Sequence, residues 1–226
     1  MGIYVNREIK MPTRFLKFLF LLLIVATICL PRMALATVLT FDDISTSPTG
    51  FADMPAGYGG FTWSGPGISS VWAVIANSAY RSIYSNNYNF PSMDNAAYNG
   101  NGSMASYTIT SSVPFTFNGA YFGTILYNNL LYSTSAASVI ITGYLNNNLI
   151  GSQTITFSSP YYPMVYTSVD LGGLVDQLSF VASGDGPAAF FLMDNFTYTS
   201  VPLPAAALLL GTGLLGVAGW RRFIKL

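Results

Sequence analysis

The sequence predicts an all-β fold, an antiparallel β-sandwich that is flanked by an N-terminal signal-peptide helix and a C-terminal transmembrane helix. Between residues 37 and 200, short runs rich in Val, Ile, Thr, Tyr and Phe alternate with clusters of Gly, Asn, Ser and Pro. The same region shows no convincing helical period of apolar residues. Roughly ten short strands without helices between them favour an antiparallel sandwich over a parallel sheet.

The predicted elements divide the chain into a signal peptide (1–36), an exported β domain (37–200) and a C-terminal segment (201–226). Asn146 and Asn147 predict the clearest hairpin, because Asn tolerates the positive φ of tight turns. The Asn- and Tyr-rich stretch 80–102 is predicted as a long loop. The predicted strands are 38–41, 60–63, 71–75, 106–110, 119–126, 138–145, 149–157, 165–171, 177–182 and 190–199.

Charge is distributed unevenly along the chain. Of the 226 residues 51% are hydrophobic and 8% are charged, and the mean hydropathy of +0.45 indicates that part of the chain meets a membrane. Between residues 37 and 200 the only base is Arg81, against eight Asp, which leaves a formal charge of −7. Nucleic-acid binding is excluded, because it needs Lys and Arg to neutralise phosphates.

The residue types also limit the chemistry that the domain could perform. The chain has no His, and its one cysteine, Cys29, lies in the apolar N-terminal run. These counts exclude a Ser-His-Asp triad, a Cys-His nucleophile, a His-ligated zinc and an intrachain disulfide. Only carboxylate chemistry remains, and the exported domain contains no Glu, so we predict that the protein is not an enzyme.

The N-terminal region has the three parts of a secretory signal peptide. Thirteen mostly apolar residues, 18–30, follow two bases and precede Ala34-Leu35-Ala36. Ala34 and Ala36 fit the two small subsites of signal peptidase, so cleavage is predicted after Ala36. The apolar run is too short to span a bilayer core of about 30 Å as a helix. Both Met1 and Met11 remain possible start sites.

The C-terminal segment predicts a single membrane helix. Pro202 and Pro204 precede sixteen uncharged residues, 205–220, and a cluster of bases follows them. A helix of this length reaches about 24 Å, which is short but able to span. The positive-inside rule keeps the terminal bases in the cytoplasm and places residues 37–200 on the other side of the membrane.

This combination closely resembles the PEP-CTERM sorting signal of exosortase substrates. The resemblance rests on VPLPAAALLLGTGLLGVAGWRR, in which Pro202 and Pro204 match the two prolines, Leu203 replaces the usual Glu, and Arg221 and Arg222 form the terminal cluster. It implies that an exosortase recognises the Pro motif and removes the helix. It also implies delivery to the surface or exopolysaccharide matrix of a Gram-negative bacterium. A plain tail anchor is the alternative.

Three motifs stand out in the exported domain: Phe41-Asp42-Asp43, residues 57–63, and Met193-Asp194-Asn195. Together with the TGYLNNNLIGSQ hairpin they resemble the jelly-roll domains common in PEP-CTERM proteins, which are similar in build to carbohydrate-binding modules. The resemblance implies that the first and last strands are neighbours. Asp42 or Asp43 would then lie close to Asp194.

Those carboxylates predict a calcium site. Carboxylate and amide oxygens suit calcium, and no nitrogen or sulfur ligand is present to favour zinc or copper. Asp43 and Asp194 are the main candidates, and Asp42 and Asn195 are the lesser ones. The alternative is purely local, with Asp42 and Asp43 starting a turn and Asp194-Asn195 ending a strand.

Tyrosines beside amide side chains suggest a surface for neutral glycans. Trp63 and Trp72 are predicted in the core, and a structural role is the alternative for any single tyrosine. The predicted function is a non-catalytic surface or matrix protein, with polysaccharide as a candidate partner. The alternatives are a structural or adhesive coat protein and a glycanase on a sandwich scaffold. The residues behind the glycan hypothesis are Tyr80, Tyr84, Tyr88 and Tyr98 with Asn86, Asn87, Asn89 and Asn95.

Overall fold

Antiparallel strands make up most of the computed structural model, which describes residues 35–67, 71–84, 89–125, 135–157, 163–186 and 188–201. Every pairing between named strands of this part is antiparallel, which confirms the predicted all-β antiparallel class. The elements are β1 (Ala36–Leu39), β2 (Phe51–Asp53), β3 (Thr62–Ser64), β4 (Trp72–Ala76), α1 (Asn77–Tyr84), β5 (Asn95–Asn99), β6 (Tyr107–Thr124), β7 (Ser138–Leu145), β8 (Asn148–Thr156), β9 (Val165–Ser168), β10 (Val175–Ser183) and β11 (Phe191–Ser200), with a 3-10 turn at Tyr58–Gly60.

The long strand β6 belongs to two layers. Its first part pairs with β3 and β10, and its second part pairs with β11 and β9. The front layer therefore has the order β3-β6-β10-β7-β8, and the back layer has the order β2-β4-β5-β11-β6-β9. Strand β1 adds to the second half of β11. The predicted strands 106–110 and 119–126 are thus two parts of one strand.

Aromatic side chains fill the space between the layers. Trp72 of the back layer meets Phe180 of the front layer with ring centroids 5.4 Å apart, and Phe180 stacks on Phe191 at 6.2 Å. All three residues are completely buried. Because these contacts join strands that are not neighbours in a sheet, the layers pack face to face as a sandwich. The prediction that Trp72 lies in the core is confirmed, and Trp63 packs half-buried against the same cluster.

A second apolar cluster lies on the outer side of the back layer. Tyr80 of α1 is 5% exposed and packs with Ile75, Phe90 and Leu192. Its hydroxyl donates to the carbonyl oxygen of Thr124 at 3.1 Å. Helix α1 and the segment 89–94 therefore cover this side over β4, β5 and the start of β11, so that part of the back layer is buried on both sides.

The prediction of a loop over 80–102 is wrong, because this stretch contains the end of α1 and the whole of β5. Two buried Asn side chains explain the discrepancy. Asn95 Nδ2 donates to the carbonyls of Phe41 (3.0 Å) and Ile44 (2.9 Å). Asn99 donates to Ala189 O at 2.8 Å and accepts from Phe191 N at 2.9 Å. These residues satisfy buried backbone groups of other segments, whereas composition treats Asn as a turn residue.

The hairpin prediction is confirmed. Asn146 (φ 49°) and Asn147 (φ 64°) connect β7 to β8, and both have the positive φ of a type I′ turn. Strand β2 and helix α1 were not predicted. The predicted signal peptide up to residue 34 and the sorting segment from residue 202 onward lie outside the described residues. Within the described part, no helix is both long enough and apolar enough to cross a membrane.

Candidate functional site

Among the described residues, the side chains that strand pairing assigns to the outer side of the front layer are all uncharged, and the nearest carboxylate, Asp176, lies at one end of it. Along each of its strands, residues pointing inward to the core alternate with residues pointing outward, as in Val139, Ile140 and Ile141. The cross-strand register then assigns the outward residues of neighbouring strands to the same side. We call this surface the open face. Its members are Thr62, Ser64, Thr108, Thr110, Ser138, Ile140, Thr142, Tyr144, Ser152, Thr154, Thr156, Gln177, Ser179, Val181 and Ser183.

Hydroxyl groups dominate the open face and pair across strands. Ser138 Oγ and Ser183 Oγ lie 2.7 Å apart, and Thr142 Oγ1 and Ser152 Oγ lie 3.3 Å apart. Ile140, in the middle of β7, is 39% exposed, so the described part of the chain leaves the centre of this side open, while Ser179 is buried beside Ser106. The face therefore presents a broad polar and neutral surface to solvent.

Tyr144 and Gln177 are register partners on the open face. They place an aromatic ring beside a side-chain amide, in one row with Thr110. At the end of that row, Asp176 accepts a hydrogen bond from the backbone N–H of Asn146 at 2.8 Å and is thereby tied to the β7–β8 turn. Sequence reasoning missed this site, because the predicted glycan tyrosines lie in another part of the chain.

Those tyrosines have structural roles where they are described. Tyr80 is a core residue, so it cannot serve as a platform for sugars. Tyr98 is half-buried and contacts Phe51 and Phe190, with ring centroids 6.2 Å and 6.5 Å away. The side chains of Tyr84, Asn86, Asn87 and Tyr88 lie outside the described part of the chain.

A second candidate site lies where the N-terminal segment meets the last strand. Ser92 N donates to Asp194 Oδ2 at 2.8 Å, and Ser92 Oγ donates to Asp42 Oδ1 at 2.9 Å. Asn95 N donates to the same Asp42 oxygen at 2.9 Å. We call Asp42, Ser92, Asn95 and Asp194 the Ser92 junction. The structure thus brings together two of the predicted ligands through Ser92, which sequence reasoning missed, while Asn95, predicted as a glycan-surface residue, bonds to Asp42.

Asp43 has a different partner. Its carboxylate accepts a hydrogen bond of 2.7 Å from the hydroxyl of Tyr58. The same hydroxyl accepts a hydrogen bond from Phe41 N at 3.2 Å. Burial, with the hydrogen bond and charge of Asp43, raises the pKa of Tyr58 well above its usual value. Asp43 therefore fastens the N-terminal segment to the turn Tyr58–Gly60, while Asp42 faces the junction.

The junction holds a buried carboxylate that has no cationic partner among the described residues. Asp194 is completely buried, and burial raises the pKa of its carboxyl from 3.8 to about 6. The charge of Asp42 raises this pKa further, whereas hydrogen bonds from Ser92 and from Asn195 N lower it. Arg81, the only base between residues 37 and 200, instead donates to Asn89 Oδ1 at 3.2 Å. Neutralising Asp194 therefore requires a proton or an external cation.

The oxygen atoms at this junction are suitable ligands for a hard cation. Asp42 and Asp194 supply two carboxylates at the junction. Asn195, the next residue along β11, has a buried Oδ1 without a hydrogen-bond partner in the described structure. Oxygen ligands of this kind suit calcium. The described residues contain no group of three or more His, Cys, Asp or Glu that could hold a metal ion. Calcium therefore stays a prediction, which rests on two carboxylates and one amide oxygen.

The remaining predicted residues are the processing signals. Ala36 is the first residue of β1 and pairs with Thr199 at the end of β11. Ala34, Pro202, Pro204, Arg221 and Arg222 lie outside the described residues.

Comparisons with known proteins give little similarity. No protein-family model and no curated protein matches this chain. A mutant of a family 29 carbohydrate-binding module is 16% identical, with a TM-score of 0.33 over 74% of this chain and 91% of that one. The CBM22-1–GH10 modules of a Clostridium thermocellum xylanase, in complex with xylohexaose, are 12% identical, with a TM-score of 0.20 over 74% of this chain and 28% of that one. Both TM-scores are too low to support an inference about function.

Proposed function

We propose that this chain is an exported, non-catalytic surface or matrix protein whose jelly-roll-like domain binds neutral polysaccharide on the open face. The observation that carries this proposal is the open face itself. Its paired outward residues are all uncharged, in a domain whose formal charge between residues 37 and 200 is −7, and Asp176 lies only at its edge. The domain contains eight acids, and random placement would put some of them on every outer surface. A face whose paired outward residues are all uncharged is therefore a specific feature of this domain.

The chemistry of the open face suits sugars. Ser and Thr hydroxyls both donate and accept hydrogen bonds, as sugar hydroxyls do, and the Gln177 amide adds two donors and an acceptor. The Tyr144 ring offers an apolar surface for the C–H side of a pyranose, and its hydroxyl stays available for hydrogen bonding. An acidic polysaccharide would be repelled by the net charge of the domain.

The positions of the carboxylates support a non-catalytic role. A glycosidase needs two carboxyl groups about 5 to 10 Å apart that flank the scissile bond. Asp42 and Asp194 accept hydrogen bonds at the Ser92 junction, and Asp43 bonds to Tyr58. The one carboxylate placed beside the open face, Asp176, bonds to the β7–β8 turn, so no carboxylate pair is placed there. A binding or structural role fits this arrangement better than a glycanase does.

Affinity electrophoresis of the full-length chain, purified in mild detergent, tests the binding proposal. Migration is compared in gels with and without hydroxyethylcellulose or galactomannan, and alginate serves as the acidic polysaccharide. Retention is expected only with a neutral polymer, and Tyr144→Ala and Gln177→Ala should each weaken it about 2- to 10-fold, equivalent to about 0.5–1.5 kcal/mol. Val113→Ala, at a position 46% exposed in β6 and outside the open face, is the matched control.

Equal retention of the wild type and both open-face variants would exclude this face as the binding surface. Absence of retention with every neutral polymer would instead favour the coat-protein alternative.

We also propose that export and sorting follow the terminal signals. The support comes from the sequence: an Ala34-Leu35-Ala36 cleavage site, the Pro202/Pro204 motif and the Arg221-Arg222 cluster. Signal peptidase would cleave after Ala36, and an exosortase would act at the Pro202/Pro204 motif. Mass spectrometry of the mature ends in the native host should give Thr37 as the N-terminus, and Arg221→Ala/Arg222→Ala should mislocalise the protein. If the protein reaches the surface normally in that variant and in a host without exosortase, the sorting proposal is wrong and the C-terminal segment is a plain tail anchor.

A calcium ion at the Ser92 junction is a further part of the proposal. Asp42 and Asp194 would hold it with the amide oxygen of Asn195, while Asp43 is engaged by Tyr58. The ion would supply positive charge between two carboxylates that otherwise repel each other, and so fasten the N-terminal segment to the last strand.

A further inference from the structure

A pair of tyrosines lies on the outer side of the back layer. Tyr121 of β6 lies between the core residues Ala120 and Phe122, so its side chain points away from the core. Its register partner on β9 is Tyr166. The two ring centroids are 5.3 Å apart and the ring planes meet at 68°, so the rings form a corner rather than a flat stack.

The pair begins where the cover of the back layer ends. Segment 89–94 reaches across β5 as far as β11, where Ser92 N bonds to Asp194. Asp194 is in turn the register partner of Tyr121. Beyond this point, on the same side, Tyr166 is 42% exposed and Tyr121 is half-buried.

The backbone holds the Tyr121–Tyr166 pair in place. Gly119 of β6 (φ 137°) pairs with Ser168 of β9, and a Cβ at this position would collide with the carbonyl oxygen of Thr167. A glycine is therefore needed for β9 to approach β6. The hydroxyl of Tyr166 also donates to Asn118 O at 3.5 Å. The exposed Tyr166 ring and the half-buried Tyr121 ring are thus held in place before any ligand arrives, which lowers the entropic cost of binding.

We propose that the Tyr121–Tyr166 corner is a second binding site for neutral polysaccharide, so that one domain bridges two glycan chains. The inference rests on the proposed function and deepens it from glycan binding to glycan cross-linking. One ring face would stack on the C–H side of a pyranose, and the second ring would contact its edge. The open face and the corner lie on opposite outer sides of two layers about 10 Å apart, so each site would hold a separate polymer segment.

The size of the corner favours a sugar over a protein partner. A stable protein interface needs about 800 Å² from each side, whereas a Tyr side chain buries at most about 250 Å². Two partly buried rings fall well short of that area but match a sugar unit in size. The net negative charge of the domain again favours a neutral polymer.

The experiment separates binding from bridging. Full-length protein in mild detergent is mixed with hydroxyethylcellulose, and the increase in solution viscosity reports bridging while affinity electrophoresis reports binding. We expect Tyr166→Ala to lower the viscosity increase at least about 5-fold and to weaken electrophoretic retention only about 2-fold, because the open face still binds. Tyr166→Phe keeps the ring and should retain bridging, and Val113→Ala should behave as the wild type.

The outcomes distinguish the two proposals. If Tyr166→Ala raises viscosity as the wild type does while Tyr144→Ala weakens retention as expected, the second site is wrong and the proposed function stands. If no neutral polymer retains the wild type, the proposed function itself fails. Light scattering without polysaccharide is the third measurement, because a dimer lost in Tyr166→Ala would show that a second copy occupies the corner and would overturn the proposal.

Discussion

The outer sides of the two layers differ in composition and in what covers them. The outward residues of the back layer include Ile75, Ala96 and Leu192, which are all fully buried under α1 and segment 89–94. The outward residues of the front layer are mostly hydroxyl-bearing and are left open. Strands β4 and β11 accordingly begin with continuous buried runs, whereas β7 alternates between buried and accessible residues. The covered side stabilises the fold, and the open side is available for binding.

The largest expected effect compares apolar outward residues on the two sides. Leu192→Ala should destabilise the domain by about 2–5 kcal/mol, because it opens a cavity beneath α1. Ile140→Ala, at a position already 39% exposed on the open face, should cost less than about 1 kcal/mol. Denaturant unfolding of both variants measures the difference. Equal losses would mean that the open face is covered as well.

The next effect is a pH dependence of the covered side. The folded pKa of Asp194, about 6, lies above its usual value of 3.8, so the folded state binds more protons between these values. The associated stability is complete below about pH 4 and is lost as pH rises through about 6, a change of about 3 kcal/mol. Thermal melts in chelator should show this slope. Asp194→Asn should flatten it, and Asp43→Asn should keep it; a slope that survives in Asp194→Asn would assign it to another group.

Calcium is expected to act at the same place with a slightly smaller effect. Metal bound only by the folded state stabilises by about 2.7 kcal/mol at one hundred times Kd, which corresponds to about 5–11 °C in Tm. Chelator should therefore lower the Tm at pH 7, and Asp194→Ala should abolish that response. Asp43→Ala should keep it, because Asp43 bonds to Tyr58. If Asp194→Ala still loses Tm in chelator, the Ser92 junction is not the calcium site.

The smallest effect concerns the hairpin that joins two strands of the open face. Asn147 has a φ of 64°, so Asn147→Val should cost about 1–2 kcal/mol through backbone strain, whereas Asn147→Gly should be neutral or slightly stabilising. Chemical denaturation gives both values. Retention on hydroxyethylcellulose should follow the folded fraction only, since the turn lies at the end of the face. Weaker binding by fully folded Asn147→Gly would extend the binding surface to the turn.

The amino-acid sequence was sufficient for the features that depend on neighbouring residues. Runs rich in β-branched and aromatic residues between turn-forming clusters located β7, β8 and β10, and two adjacent Asn residues located the turn, because strand propensity and positive φ are local properties. The residue types alone also excluded His and Cys chemistry.

Tertiary structure decided which side chains meet. Sequence cannot distinguish Asp42 from Asp43, since adjacent residues point in different directions and the choice depends on the turn at Phe41, a buried aromatic with φ 66°. Asn95 looked like a loop residue because its partners, Phe41 and Ile44, lie 54 and 51 positions away. Which layer is covered also depends on where α1 packs. Long-range hydrogen bonds and packing set these features, and local patterns do not encode them.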